Sequence, residues 1–285
     1  MTIRCFRETF AEEIRAAGFT EAITPFITAI SGFDPLKDRE LLTPPSTPTS
    51  FLHLTPQFIG KDPAALKACL EKVKAAGYDT ADLNCGCPFP MVRNKGRGSG
   101  ILRTPDVLRR MLEVGCETMG AGKFSIKARL GVDRNDELLK LMPMINEFPL
   151  RFLTVHARTA RQMYAGIIDA EGLKMVAEVS KVPMVFNGDI PFPAPPNFPN
   201  IPNFPNIHFM IGRSFVRWLG TCEDSGELLL RYIAASQAEL CGDRPVLGRM
   251  KELISYWKEL PRWRRKWDVV KMCRTVDELR SCLDV

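Results

Sequence analysis

Short continuous apolar runs recur along the chain, and each gives way to a polar residue or glycine before a stretch of helical spacing. Glu21–Thr28, Phe51–Phe58, Thr80–Asn84, Phe124–Leu130, Phe152–His156, Pro183–Asn187 and His208–Gly212 read as strands. Helical spacing covers Arg4–Ala17, Asp62–Ala76, Thr104–Met119, Glu137–Glu147 and Glu171–Ser180, and Thr104-Pro105 has the cap-then-proline form of a helix start. The strand cores Phe152-Leu-Thr-Val, Met184-Val-Phe and Phe209-Met-Ile do not alternate with polar residues, as expected of strands covered on both faces. Strict alternation of strand and helix predicts a parallel sheet in an α/β protein, and a TIM (β/α)8-type barrel is its natural closure. Seven strands are legible and the chain opens on a helix, so the first strand of the eight is the one missing from this chain. Residues 215–285 read as helical, which places a barrel at 1–220 and a helical domain at 221–285.

One connection breaks the rhythm. Between Gly188 and His208 a helix is due, yet seven prolines lie in positions 191–205 and the unit Asn-Phe-Pro-Asn-Ile occurs at 197 and again at 203. Proline at that density forbids a regular helix, so an extended loop is expected.

The 285 residues are 45% hydrophobic, enough for a large core plus an appended domain. No run of about 18 uncharged apolar residues is present, so no membrane-spanning helix is expected. The opening segment is charged where a secretory signal would be apolar, and a cytoplasmic location is expected. The nine cysteines are an odd, scattered set without a CxxC pair, which favours reduced thiols. Cys85 and Cys87 lack the further ligands a zinc site needs, so no metal is expected. The net charge of +6 is modest, but Arg244 to Arg274 holds ten Lys or Arg against three Asp or Glu. That segment suits a polyanionic partner, or is simply a solvated basic helix face.

In a barrel, groups at the C-terminal ends of strands converge on one mouth. Here these are Gln57, Asn84 with Cys87, Lys127 with Arg129, His156 with Arg158, Asn187 with Asp189, and Gly212-Arg213. Each alone has an ordinary structural explanation. Together they describe a site for one large polar ligand. No Gly-x-Gly-x-x-Gly opens a helix after the first strand, which argues against a Rossmann dinucleotide site. Asn187-Gly188-Asp189 and Gly212-Arg213 stand where barrels often hold a phosphate, with glycine allowing close backbone approach and Arg213 adding charge.

Six motifs, in order, resemble the tRNA-dihydrouridine synthases. They are Gln57 at a strand end, Asn84-Cys-Gly-Cys-Pro88, Lys127-Ala-Arg-Leu-Gly131, His156-Ala-Arg-Thr159, Asn187-Gly-Asp189 and Gly212-Arg213. The resemblance covers roughly residues 2–260. It implies a flavoenzyme that reduces a uridine of tRNA to 5,6-dihydrouridine, with FMN as cofactor, NADPH as reductant and a monomeric chain acting on tRNA. Gln57, Asn84, Lys127, His156, Asn187, Gly188, Asp189, Gly212 and Arg213 would hold FMN, and Cys87 would be the general acid. A thiol with an ordinary pKa of about 8.5 stays protonated near neutrality yet can donate.

Lys95, Arg97, Arg158 and Arg161 would ring the mouth and meet RNA phosphates. Lys251, Arg262, Arg264 and Arg265 interleave with Tyr256, Trp257 and Trp263, which suits phosphate contact with stacking. The spacing of Leu253, Trp257 and Leu260 is equally that of a core face. The chain departs from the family at its start. Thr2, Phe6 and Arg7 fit the helix that follows the family's flavin-facing first strand, and that strand does not precede them. Intact later positions favour a start site lying upstream over a true truncation. Two rivals stay open: a barrel flavoenzyme acting on a free pyrimidine, and an RNA-binding relic that has lost its flavin.

Overall fold

Seven parallel strand segments, read in chain order, lie side by side in the computed structural model, which describes residues 3–41, 48–193 and 208–283. The first two segments are each interrupted. One consists of β1 (Glu21–Ile23) and β2 (Ile27–Thr28), the other of β3 (His53–Thr55) and β4 (Gln57–Ile59). Pro25 and Pro56 fall at the breaks, where a residue without an N–H cannot continue the ladder. The side chain of Thr24 bridges them, accepting from the Gln57 amide at 3.0 Å. β5 (Ala81–Cys85), β6 (Phe124–Gly131), β7 (Leu153–Thr159), β8 (Met184–Asn187) and β9 (His208–Phe209) follow. The main sheet runs β2-β4-β5-β6-β7-β8-β9, with β1 paired to β3 beside it. Among the described residues β9 and β2 do not pair with each other, so both remain edges.

The helices α1 (Arg4–Thr9), α2 (Ala11–Ala16), α3 (Pro63–Ala75), α4 (Pro90–Arg93), α5 (Pro105–Met119), α6 (Glu137–Ile145) and α7 (Ala170–Val179) lie before β9. α3 starts where Asp62 accepts from the amides of Ala64 and Ala65 and Pro63 takes the first turn. α5 starts on its proline alone, because the Thr104 hydroxyl instead donates to the Ile101 carbonyl at 3.1 Å. Leu66, Leu70, Leu108, Met111 and Leu112 from α3 and α5 bury against Phe58, Leu83, Phe124 and Ile126 of the sheet. This is the β/α-barrel class of architecture, accompanied by a helical region.

The helix expected over 4–17 is two helices parted at Phe10. The Thr9 hydroxyl donates to the Cys5 carbonyl at 2.7 Å, a bond of the kind that bends a helix. α1 and α2 then join a second core with α8 (Arg213–Leu219), α9 (Ser225–Glu239), α10 (Asp243–Ser255), α11 (Pro261–Val270) and α12 (Val276–Ser281). Phe6 and Phe10 sit 5.9 and 5.3 Å from the ring of Tyr232 on α9, and Arg7 forms a buried ion pair with Glu40 at 2.9 Å.

Trp257 and Trp263 are 0% and 1% exposed and pack together at 4.7 Å. Their indole N–H groups donate to the carbonyls of Val216 at 2.6 Å and Gly220 at 3.1 Å. The core reading of that helical face is therefore the right one, and these two rings are not stacking platforms for bases. Most of the proline-rich connection, residues 194–207, lies outside the described residues. No described helix is long and apolar enough to cross a membrane.

Candidate active site at the strand ends

Side-by-side strand register brings the candidate residues together. Gln57 pairs with Asp82, Asn84 with Lys127, Arg129 with His156, and His156 with Asn187. A bulge between Arg129 and Gly131 ends β6 at the mouth, a common device beside active sites.

A chain of directed hydrogen bonds runs from the sheet to Cys87. Buried Asp82 accepts from Ser125 Oγ at 2.7 Å and from Gln57 Nε2 at 2.8 Å. Gln57 Oε1 accepts from Asn84 Nδ2 at 2.7 Å. Asn84 Oδ1 then accepts the backbone amides of Gly86 at 3.0 Å and Cys87 at 2.7 Å. An ionised carboxylate can only accept, so Asp82 dictates which way both amides point. Burial raises its carboxyl to about 6 despite the Ser125 and Gln57 bonds. Asn84 thus turns the chain sharply after β5 and fixes the cysteine at the strand end. The loop returns through Ser99, whose amide and hydroxyl both donate to the Cys87 carbonyl, at 3.0 and 2.9 Å.

Cys87 is 6% exposed and lines the mouth. Burial pushes its thiol up; a backbone bond from Phe89 and the cations of Arg129 and Lys127 pull the other way without prevailing. Cys85, two residues earlier at the end of β5, is fully enclosed beneath the surface and its thiol is pushed far up.

Two cations, Lys127 and Arg129, and one imidazole, His156, line the cavity with the thiol. The Lys127 ammonium has no hydrogen bond or ion pair among the described residues, and burial, then Arg129, lower it to about 8. Arg129 is a brace. Its guanidinium donates to the carbonyls of Gly86 (2.8 Å), Thr159 (2.9 Å) and Met163 (2.7 Å), tying the cysteine loop to the turn after β7. His156 is lowered to about 2 by burial and by the surrounding cations, so it is a neutral imidazole, and its buried Nδ1 has no partner among the described residues.

Asp189, in the left-handed region at φ +46°, binds Arg158 and, at 3.0 Å, Arg213. Arg158 is 2% exposed and also donates to the Gly166 carbonyl. Its expected place on the phosphate-binding rim is thereby corrected: it lies below the rim and holds the β7 turn and Asp189 in place. Asn187 donates to the Met210 carbonyl at 2.8 Å and anchors the last strand.

The cavity above these groups has a volume of about 1320 Å³. Of the sequence-derived candidates, Asn84, Cys87, Lys127, His156, Asn187, Gly188, Asp189, Gly212 and Arg213 line it. Gln57 sits one layer beneath, with both ends of its amide engaged. Lys95 and Arg97 follow on the cysteine loop, the first exposed and the second half-buried. Arg161 is exposed and paired with Asp133. Lys251, Arg262, Arg264 and Arg265 do not line the cavity.

Tyr164 was not picked out by sequence reasoning. Its ring lies 5.4 Å from the Arg129 guanidinium and 4.8 Å from that of Arg213, a cation–π arrangement on the wall beside Phe89. Its only signal in the sequence is its place in the turn just after the His156-Ala-Arg-Thr159 motif.

Fold and site together define a β/α barrel with a buried thiol at the strand ends. The sequence pattern of the Dihydrouridine synthase (Dus) family matches residues 3–196, and the chain belongs to that family. A "Probable tRNA-dihydrouridine synthase" of Helicobacter pylori (strain J99 / ATCC 700824) is 30% identical over 220 residues, 72% of this chain and 66% of that protein. The "tRNA-dihydrouridine(16) synthase" of Shigella flexneri is 28% identical over 175 residues, 59% of this chain and 55% of that protein. The chain thus matches between about half and two thirds of the length of these relatives. Among solved structures, a variant of NCR from Zymomonas mobilis aligns with a TM-score of 0.50 at 14% identity, over 75% of this chain and 77% of that one, a likeness of fold alone.

Proposed function

We propose that this chain reduces a uridine of tRNA to 5,6-dihydrouridine, with FMN held at the mouth, Cys87 as proton donor and NADPH as reductant. The observation that carries the reading is a buried thiol fixed by Asn84 at the wall of a large cavity that Lys127, Arg129 and Arg213 also line. The names of its relatives point to the same substrate.

The residues present fit a flavin mononucleotide. A buried imidazole nitrogen has no partner, Lys127 has no carboxylate pair, and Gly212 has nothing within 4 Å of where a Cβ would stand. Asn84, Lys127 and His156 would hold the polar ring edge, with Gln57 orienting Asn84 from behind. Asn187, Gly188, Gly212 and Arg213 would hold the phosphate side, and Asp189 sets the position of Arg213. When bound, the reduced flavin supplies a hydride to C6 of the uracil. Cys87 Sγ supplies the proton at C5, and a thiol held above its ordinary pKa reaches that step still carrying its proton. Tyr164 and Phe89 offer an apolar wall to a base drawn out of its stack.

The first test is the visible spectrum of the purified chain, followed by incubation with unmodified tRNA and NADPH and mass spectrometry of the digested RNA. Flavin absorbance and a gain of two mass units on a uridine are expected. A colourless protein that yields no dihydrouridine overturns the reading.

Lys127 gives a pH prediction. Its ammonium is charged below about 8 and neutral above, so flavin retention is expected to weaken as pH rises from 7 to 9. Lys127→Met should lower affinity and flatten that profile in a fluorescence titration. Identical profiles for the two proteins would remove the ammonium from the site.

A further inference from the structure

The cavity continues past the strand ends. Its outer wall is built by α8 and by the end of α10 with the turn that follows, through Arg217, Trp218, Thr221, Tyr256 and Lys258. Two bonds and a close packing contact set this wall. Trp257 Nε1 donates to the Val216 carbonyl, Trp263 Nε1 donates to the Gly220 carbonyl, and the Trp257 ring fills the space where a Cβ on Gly220 would stand. Arg217 follows Val216 and Lys258 follows Trp257, so the buried indole places both cations on one wall of the cavity.

Both side chains are exposed, and among the described residues neither the guanidinium of Arg217 nor the ammonium of Lys258 has a hydrogen bond or ion pair. The other basic residues of the helical region are differently placed. Lys251 donates to the carbonyls of Lys271 (3.0 Å) and Cys273 (2.7 Å) and so closes α11. Arg262 donates to the Glu223 carbonyl, Arg264 lies 3.9 Å from the Glu259 carboxylate, and neither these nor Arg265 reach the cavity. Two carboxylates, Glu252 and Glu259, share the wall and would repel a phosphate on their side. The aromatic rings of Trp218 and Tyr256, both half-buried, stand on the same wall as the two cations.

We infer that Arg217 and Lys258 form a backbone-phosphate subsite for the RNA strand flanking the reacting nucleotide, with Tyr256 and Trp218 as the surface its adjoining sugar and base lie against. This rests on the proposed function, since it takes the occupant of the inner cavity to be a nucleotide within RNA. Cations left without protein partners beside a flat aromatic surface are what a single strand needs: charge for the phosphate and a face for the base. The subsite would also hold the strand in place while the uridine is turned inward.

The test compares the full chain with an Arg217→Ala/Lys258→Ala double variant and an Arg264→Ala/Arg265→Ala double variant. Binding of an unmodified tRNA transcript is followed by fluorescence anisotropy across a KCl series. The first variant is expected to bind roughly tenfold more weakly, with a log–log salt slope shallower by about 1.4 for two single-strand phosphates. Its flavin spectrum should be unchanged, while its KM for tRNA rises. The second variant should bind as the parent does. Unchanged affinity and slope in the first variant, or an equal loss in the second, overturns the subsite. A parent chain that holds flavin but binds no tRNA would instead overturn the proposed function, and this inference with it.

Discussion

Cys87→Ala is expected to leave a protein that still takes up flavin and reduces uridine on the order of 10²- to 10⁴-fold more slowly, the usual contribution of a positioned general acid. The side chain is small, buried and has no part in the directed chain that positions it. That chain ends on its backbone amide, so alanine keeps the loop. Loss of rate with flavin binding intact is therefore the result that separates proton donation from architecture. The donor form is the thiol, which persists below its pKa. Burial raises that pKa, so the rate attributable to Cys87 should hold across neutral pH and fall only on the alkaline side. Single-turnover formation of dihydrouridine, read by mass spectrometry over a pH series, checks both points. A variant as fast as the parent would take the thiol out of the reaction.

Gly98→Ala is expected to displace the cysteine itself. Gly98 has φ +56°, and a Cβ there would stand 2.8 Å from Cys87 Cβ and 2.9 Å from the Cys87 carbonyl oxygen. Neither neighbour is the free end of a flexible side chain, and the carbonyl is already held by Ser99. Overpacking of this kind costs about 1–3 kcal/mol, to which the left-handed backbone adds about 1–2 kcal/mol. The cysteine must shift to make room, so activity should fall further than the loss of folded protein explains. Denaturant midpoints measured beside the specific activity of the folded fraction decide it. Parental stability and parental activity together would mean that the loop is not packed against Cys87 as described.

Much of this was readable in the chain because of where the residues stand on it. The central strands are buried on both faces and the outer ones in part, so the seven segments could be located as short apolar runs, and polar residues toward their ends mark the mouth. Asn84, Lys127, His156 and Arg213 were found in that way and do line one cavity. What could not be read depends on partners distant in sequence. Arg158 looks like any rim arginine until Asp189, 31 residues on, is folded against it. Lys251 and Arg262 look available until carbonyls 22 and 39 residues away are seen to occupy them. The helical spacing of Leu253, Trp257 and Leu260 fits a core face and a binding face equally, and only packing against α8 chose between them. Tyr164 lies in a turn, where no periodicity marks a residue out.

The joining of α1 and α2 to the C-terminal helices also sets an order of events during synthesis. Phe6, Phe10 and Ile14 are made roughly 220 residues before the surface they bury against, centred on Tyr232. At about 5–20 residues per second, these apolar side chains wait on the order of tens of seconds for their partners. The strands and helices between them can meanwhile pair with sequence neighbours as they emerge. The nascent protein thus carries an unpartnered apolar segment while the intervening residues are made, a natural landing place for a chaperone, and the second core closes only after they have emerged.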